Sequence, residues 1–276
     1  MKSSKKERID RVLASRGLAE SRTAAQSLLM AGRVSVGGVR VDKPGAQVSP
    51  DADIEVKGGA DWVSRGALKL IKALDYFEIV PKGRVCVDVG ASTGGFTQVL
   101  LSRGAARVYS VDVGYGQLAW TIRNDERVVV MERTNARNLH PEDFDQTPDI
   151  SVTDASFISL RLLLPAMDAF LSPSGEAVVL VKPQFEVGRG RVGKGGRVRS
   201  REDHIEVLEG IISFCTDSPL SLVPSGLTFS PITGAKGNIE FLMFMRKGTD
   251  YPVPAFSAAA VVDEAHHFFS EERGEP

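Results

Sequence analysis

The chain has 276 residues, long for one domain and comfortable for two, and its 42 % hydrophobic and 25 % charged residues are the balance of an ordinary globular protein. Its two cysteines, Cys86 and Cys215, both sit in apolar runs, which argues against a disulfide framework or a cysteine zinc site. The net charge of −1 speaks against a polyanionic partner only until its distribution is read: residues 1–60 carry eleven basic against seven acidic residues, and Arg189, Arg191, Lys194, Arg197, Arg199 and Arg201 crowd one Gly-rich stretch.

The first segment, MKSSKKERIDRVL, is basic and lacks the apolar stretch of a signal peptide, and no run approaches the roughly 18 apolar residues of a membrane span, so a cytoplasmic protein is expected. From Glu7 to Met30 the apolar residues Ile9, Val12, Leu13, Leu18, Ala24, Ala25, Leu28 and Leu29 recur at helical spacing. Gly17 separates two short helices, Ser21 is placed to cap the second, and Gly32 ends it. Alternation around turns at Gly37-Gly38, Lys43-Pro44-Gly45 and Pro50-Asp51 then predicts a small antiparallel sheet. The string R-I-D-R-V-L…S-R-T-A-A-Q-S-L-L-M-A-G-R-V-S-V-G-G resembles the S4-type RNA-binding domain. Lys6, Arg8, Arg11, Arg16, Arg22 and Arg33 are its candidate phosphate contacts, because guanidinium forks grip phosphate without reading sequence.

Lys57 to Val63 is Gly-rich and then abruptly aromatic, as in a linker whose Trp62 and Val63 pack on a domain. A helix is expected from Ser64, its N-cap, to Phe77. Beyond it, strands are predicted at Arg84–Val89, Arg107–Val111, Val128–Glu132, Asp149–Asp154, Ala177–Val181, Leu222–Phe229 and Glu240–Met245. Helices are predicted at Gly95–Arg103, Gly116–Arg123, Leu160–Leu171 and Glu202–Cys215. This alternation describes an α/β domain with a mostly parallel seven-stranded sheet covered on both faces, its last two strands forming an antiparallel edge hairpin. Asp250 to Ala260 reads as a linker, and Val261, Val262, Ala265, Phe268 and Phe269 as a helical stripe that packs back on the domain.

In V-C-V-D-V-G-A-S-T-G-G-F a buried strand reaches Asp88, and Gly90, Gly94 and Gly95 form the turn into a helix, where glycine lets backbone approach a ligand. Asp112 ends the next strand twenty-two residues after Gly90, the place of a carboxylate that binds a ribose diol. The spacing D-x-G-x-x-x-G-G is not the G-x-G-x-x-G of a dinucleotide site, which tilts the ligand from NAD toward S-adenosylmethionine. Ala91, Ser92, Phe96, Asn135, Ala136 and Asp154 complete the candidate cofactor contacts, and Asn135 reads equally well as a loop residue in an Asx-turn.

Lys69, Asp154, Lys182 and Glu240 each stand where a catalytic group is expected, Lys182 most pointedly, at the end of an apolar strand and before Pro183. This set resembles the Lys-Asp-Lys-Glu tetrad of the FtsJ-like ribose 2′-O-methyltransferases. Within that group W-V-S-R-G-A-L-K-L, D-V-G-A-S-T-G-G-F-T, D-V-G-Y-G-Q-L-A-W, E-R-T-N-A-R-N-L, D-A-S-F-I-S-L, V-K-P-Q-F-E-V-G and G-N-I-E-F are similar to the TlyA (haemolysin A) family of rRNA methyltransferases. The resemblance implies S-adenosylmethionine-dependent methylation of a cytidine ribose 2′-OH in large-subunit rRNA and, given the extended termini, in small-subunit rRNA too. It departs from the family at Ala60 or Asp61, where members often carry an arginine ahead of Trp-Val.

In that reading Lys182 is the general base or hydroxyl-orienting group, its pKa lowered by burial and by Lys69, with Asp154 holding it and Glu240 orienting Lys69 or the ribose. Arg65, Arg189 and Arg191 are further candidate RNA contacts, and no metal is required. The expected division is an S4-type domain over 1–59, a linker over 60–63, a methyltransferase domain over 64–248 and a tail over 249–276, acting as a monomer on rRNA in ribosomal subunits without a membrane. A non-catalytic RNA-binding module, a cytolysin of the kind the haemolysin name suggests, and an NAD enzyme are the competing readings. The first leaves the tetrad without purpose, the second lacks a spanning segment, and the third has the wrong glycine spacing.

Overall fold

A computed structural model describes residues 6–19, 21–30, 32–56, 62–188, 190–193, 195–248 and 256–273, and the chain divides into two compact units, Met1–Asp61 and Trp62–Pro276. Lys2, Lys5, Lys57, Ala60, Asp61, Arg189 and Lys194, and the span 250–255, lie outside the described residues.

The smaller unit contains β1 (Glu7–Arg8), α1 (Ile9–Ser15), α2 (Arg22–Met30), β2 (Val34–Val36), β3 (Val39–Arg40), β4 (Gln47–Val48) and β5 (Ile54–Val56). The antiparallel sheet has the order β3-β2-β5, and β1 pairs separately with β4. Gly17 (φ +68°) and Gly32 (φ +67°) take the left-handed backbone that stops each helix, and at Gly32 the N–H groups of Gly32 and Arg33 close back on the Leu29 and Leu28 carbonyls. Ile9, Val12, Leu13, Ala25, Leu29, Val34, Val48 and Ile54 form the core. Asp10 is fully buried beside it and accepts hydrogen bonds from Arg8 (3.0 and 3.1 Å), Arg22 (3.0 Å) and Gln26 (2.9 Å).

The larger unit runs α3 (Ala67–Tyr76), β6 (Val85–Val89), α4 (Gly95–Ser102), β7 (Arg107–Val111), α5 (Trp120–Arg123), β8 (Val128–Met131), β9 (Ile150–Thr153), α6 (Leu164–Phe170), β10 (Glu176–Val181), α7 (Pro183–Glu186), α8 (Arg201–Asp217), β11 (Leu222–Phe229), β12 (Phe241–Lys247) and α9 (Ala258–Arg273). Its seven strands have the order β11-β12-β10-β9-β6-β7-β8, parallel from β10 to β8 and closed at the other edge by the antiparallel β11–β12 hairpin, as the strand pattern predicts. Two cores flank the sheet. Cys86, Ile150, Val152, Val178, Leu180, Leu242 and Phe244 face α3 and α4, while Val87, Val89, Val179, Val181, Phe241 and Met243 face α6, α8 and α9. This is the period of two expected of a sheet buried on both sides.

Three expectations need correction. The helix predicted over 116–123 is only the turn Trp120–Arg123, because Gly116 (φ +70°) holds the chain in a loop before it. The helix predicted from Leu160 splits into a single 3-10 turn, Leu160–Leu162, and α6, which starts beside Pro165, a residue with no N–H to offer a preceding turn. Ser64 does not cap α3: its hydroxyl accepts the Gly66 N–H (3.0 Å), and the helix starts at Ala67. The tail stripe does pack back, with Val262, Ala265 and Phe269 buried against the α8 face, and Ala258 to Ala260, read as linker, already belong to α9. Trp62 and Val63 pack against the α3–α4 core.

Candidate active site

Strand parity assembles the site. Asp88 shares the parity of Cys86, Asp154 that of Val152, Lys182 that of Leu180 and Glu240 that of Leu242, so all four lie at the α3 side of the sheet. Three of them stand at the carboxyl ends of parallel strands, and antiparallel β12 brings Glu240 to the same edge. There α3 presents Lys69, whose ammonium donates to Glu240 Oε2 (2.8 Å) and Asp154 Oδ2 (3.1 Å). Lys182 Nζ lies 2.6 Å from Asp154 Oδ1 and donates to the Asp154 carbonyl (3.0 Å) and Ser156 Oγ (2.9 Å). Gln184 donates to the other oxygen of Glu240 (3.2 Å).

Lys69, Lys182 and Glu240 are buried, at 7 %, 6 % and 2 % exposure. Burial works against the Lys69 ammonium, yet Asp154 and Glu240 outweigh it and its pKa lies above the ordinary lysine value. With all four groups ionised the cluster is neutral, and the positive field of Lys69 is spent on its two carboxylates.

Asp88 is wholly buried and accepts the N–H (2.8 Å) and hydroxyl (2.7 Å) of Thr97, and so ties β6 to the first turn of α4. Burial pushes its carboxyl up to about 7, against the two Thr97 hydrogen bonds. A β-carbon at Gly90 (φ +83°) would come within 2.9 Å of the Ala155 α-carbon, so only glycine brings β6 and β9 together here. Asp112 accepts the N–H groups of Ser92 (2.8 Å) and Gly114 (2.7 Å), one on each oxygen. The Asn135 side-chain Oδ1 accepts the Arg137 N–H (3.2 Å), the Asx-turn that was one of its two readings.

Two cavities adjoin at this edge. One, of about 410 Å³, is floored by Lys69, Asp154, Lys182 and Glu240 and bordered by Asp88, Ala91, Gly95 and Phe96. The other, of about 690 Å³, is lined by Asp112, Asn135, Ala136 and apolar Ile158 and Leu163. Gly90, Ser92, Asp154, Ser156 and Phe157 border both. Gly94 borders neither; its φ of +95° and the Leu118 side chain over it mark a packing role.

Of the candidate RNA contacts in this unit, Arg65 borders the smaller cavity and donates to the Thr233 carbonyl (3.0 Å). Arg191 is instead paired with Glu206 (2.6 Å) and Asp203 (3.1 Å), because its loop lies along α8. In the smaller unit Lys6 and Arg11 are exposed, Arg8 and Arg22 hold Asp10, Arg16 donates to the Ala52 carbonyl (2.7 Å), and Arg33 is half-buried. Sequence reading missed Ser156, Gln184 and Glu186. The last, in V-K-P-Q-F-E, accepts Ser159 Oγ and the Leu160 N–H (both 2.7 Å) and so ties the loop after β9 to the segment bearing Lys182.

Fold and site define a methyltransferase of the FtsJ-like class: the sequence model of the FtsJ-like methyltransferases matches residues 62–247, and that of the S4 domain matches 7–54. YqxC of Bacillus subtilis, whose name proposes an rRNA methyltransferase, is 48 % identical over 99 % of this chain and 98 % of its own. The 16S/23S rRNA (cytidine-2′-O)-methyltransferase TlyA of Mycobacterium tuberculosis is 46 % identical over 96 % of this chain and 97 % of its own. A solved chain of Streptococcus thermophilus, named a hemolysin, superposes with a TM-score of 0.76 at 44 % identity, covering 99 % of this chain and 100 % of that one. The chain belongs to the TlyA family.

Proposed function

We propose that the protein methylates the ribose 2′-oxygen of a cytidine in rRNA, in the large subunit and also the small, with S-adenosylmethionine as donor. The observation that carries the reading is the Lys69–Asp154–Lys182–Glu240 cluster on the floor of one cavity, with a second cavity beside it that shares Asp154. The residues of the larger cavity fit the cofactor: Asp112 for a ribose diol, Ala136, Ile158 and Leu163 as apolar walls for an adenine, and the bare backbone of Gly90 for close approach. Ser92, Asn135 and Asp154 line the same cavity, Asp88, Ala91, Gly95 and Phe96 border the adjoining smaller one as further candidate contacts, and Gly94 supports the turn.

S-adenosylmethionine, when bound, supplies a methyl group on a positively charged sulfur. The remaining work belongs to the chain's own side chains. Lys182, once it has released a proton to solvent, orients the 2′-hydroxyl as a neutral amine and takes up its proton, and Asp154, 2.6 Å away, stabilises the ammonium that is regenerated. Lys69 holds Asp154 in place from its other oxygen, and Glu240 anchors Lys69. Burial of the cluster keeps water from competing for that hydroxyl, and much of the acceleration comes from orientation.

The S4-type unit, through Lys6, Arg8, Arg11, Arg16, Arg22 and Arg33, docks on the rRNA backbone, with Arg65 at the cavity mouth; Arg189 stays a candidate contact, and Arg191 joins it only by leaving Glu206 and Asp203. In this reading the chain divides into an S4-type domain (1–59), a linker (60–63), a catalytic domain (64–248) and a tail (249–276), and works as a cytoplasmic monomer on ribosomal subunits. No helix among the described residues is long and apolar enough to cross a membrane. The test is tritiated methyl transfer to unmodified ribosomal subunits, comparing the wild type with Lys182→Ala. Ribose label that disappears in the variant supports the proposal, whereas no label on either subunit from protein that binds cofactor refutes it.

A further inference from the structure

On the sheet face opposite the tetrad lies a third cavity, of about 260 Å³, between the 197–199 segment, the start of α8 and the C-terminal helix α9. Its lining includes Arg197, Val198, Arg199, His204, Ile239 and His266, and none of the residues that line it is acidic. Strand parity places it: Ile239 shares the side of Phe241, whereas Glu240, the next residue, faces the tetrad cavity. The cavity therefore sits at the same end of β12 as the candidate active site, on the other side of the sheet.

Its polar groups are arranged for an anion. Arg197 is held by one Nη2 bond to the Gly237 carbonyl (3.0 Å), Arg199 is exposed, and neither has a carboxylate partner among the described residues. The neighbouring acids lie outside the lining and have partners of their own, since Asp263 pairs with Arg201, Asp203 with Arg191, and Glu202 accepts the Ser200 hydroxyl (2.8 Å), although Glu202 and Asp263 also lie within electrostatic reach of His266. Asn238, buried at 2 % exposure, accepts the Val198 N–H and donates to the Gly196 carbonyl (both 3.0 Å), which stiffens the segment carrying both arginines.

The two histidines add a coupled imidazole pair to the lining. His204 Nδ1 and His266 Nε2 share a hydrogen bond of 2.9 Å. His204 is fully buried, and its Nε2 has no hydrogen-bond partner among the described residues, a polar atom whose burial is uncompensated. A metal would have to break the bond between the imidazoles, and the lining offers it no carboxylate or thiolate. Two guanidinium forks beside a pair of imidazoles match the oxygens of a phosphate.

We infer that this cavity is a phosphate-binding site, built by Arg197, Arg199 and the His204–His266 pair, to which α9 contributes His266. Its natural occupant is a backbone phosphodiester of the RNA strand that passes the active site. That occupant rests on the methyltransferase reading; the phosphate site does not.

The experiment uses the full-length protein with labelled histidine and follows the imidazole signals of His204 and His266. Inorganic phosphate and a short cytidine-containing RNA are titrated separately. Saturable shifts of both imidazoles with RNA, abolished in Arg197→Ala/Arg199→Ala while S-adenosylmethionine still binds as in the wild type, support the site with a phosphodiester in it. Shifts with inorganic phosphate alone support a small-anion site. In the first case the double variant binds the RNA about ten- to a hundredfold more weakly, and its salt slope falls by about 0.7 for each phosphate that is no longer neutralised. Arg199→Ala alone, at an exposed position, gives part of the same weakening without threatening the fold. Imidazoles that respond to neither ligand, or respond equally in the double variant, overturn the inference. Shifts without methyl transfer to any ribosomal subunit leave the site standing and refute the proposed function.

Discussion

Replacing Lys69 by methionine keeps most of the side-chain stem and removes the cation between two carboxylates. Asp154 retains Lys182 at 2.6 Å, but Glu240, 2 % exposed, is left among the described residues with only the Gln184 amide at 3.2 Å. Breaking a buried ion pair from one side costs about 3–5 kcal/mol. In a unit of this size each kcal/mol moves the melting temperature by roughly 2–4 °C, so Lys69→Met should melt roughly 6–20 °C below the wild type. Glu240→Gln removes the stranded charge, so the Lys69→Met/Glu240→Gln double variant should regain much of the loss, with a coupling of about 1–3 kcal/mol. The assay is urea and thermal unfolding of all four proteins at neutral pH. Single-variant losses that simply add, within about 0.5 kcal/mol, would refute the reasoning, because the two groups would then be interacting with water and not with each other.

Three further outcomes are expected. Burial raises the Asp88 carboxyl to about 7, above the roughly 3.9 of an unfolded chain, so the native state keeps this proton longer. Its contribution to stability is complete below about pH 4 and is lost as pH rises through about 7. Asp88→Asn should lack that decline, and urea profiles for the two proteins that stay parallel between these limits would disprove it. Gly90→Ala forces a side chain onto backbone at φ +83°, at a cost of about 1–3 kcal/mol. It should also weaken S-adenosylmethionine binding at least about tenfold by calorimetry, and an unchanged affinity would mean that the cofactor lies elsewhere. Phe269→Ala, at 3 % exposure among Val262, Ala265 and Phe229, should cost about 3–5 kcal/mol; wild-type melting would show that α9 is not part of the core.

Much of the larger unit was legible because its strands are continuous apolar runs and its chemistry falls at their ends. Asp154, Lys182 and Glu240 each follow or precede such a run by one residue, so a period of two suffices to predict that they share a face. What the pattern could not carry was local backbone chemistry and long-range pairing. Gly116 holds back a helix that the apolar spacing after it encourages, and Pro165 delays another. The engagement of Arg191 by Asp203 and Glu206, twelve and fifteen residues on, needs the loop to turn back along α8, which apolar spacing does not encode. Asp88 reads as a cofactor contact by position, yet much of its hydrogen bonding goes to Thr97, nine residues on. The Glu186 tie to Ser159 and Leu160 spans two elements whose contact only the fold supplies.

Asp10 changes what the smaller unit can offer a polyanion. A free arginine must surrender up to about 2 kcal/mol of rotamer freedom when it is gripped. Arg8 and Arg22 surrender part of theirs when the unit folds, because one buried carboxylate already holds both guanidinium groups. The trio carries one net positive charge instead of two, so it releases fewer counterions than the arginine count suggests. Such a surface gives up some long-range attraction for fixed geometry: it meets a phosphate backbone as a shaped template whose fit, more than its charge, decides where it rests.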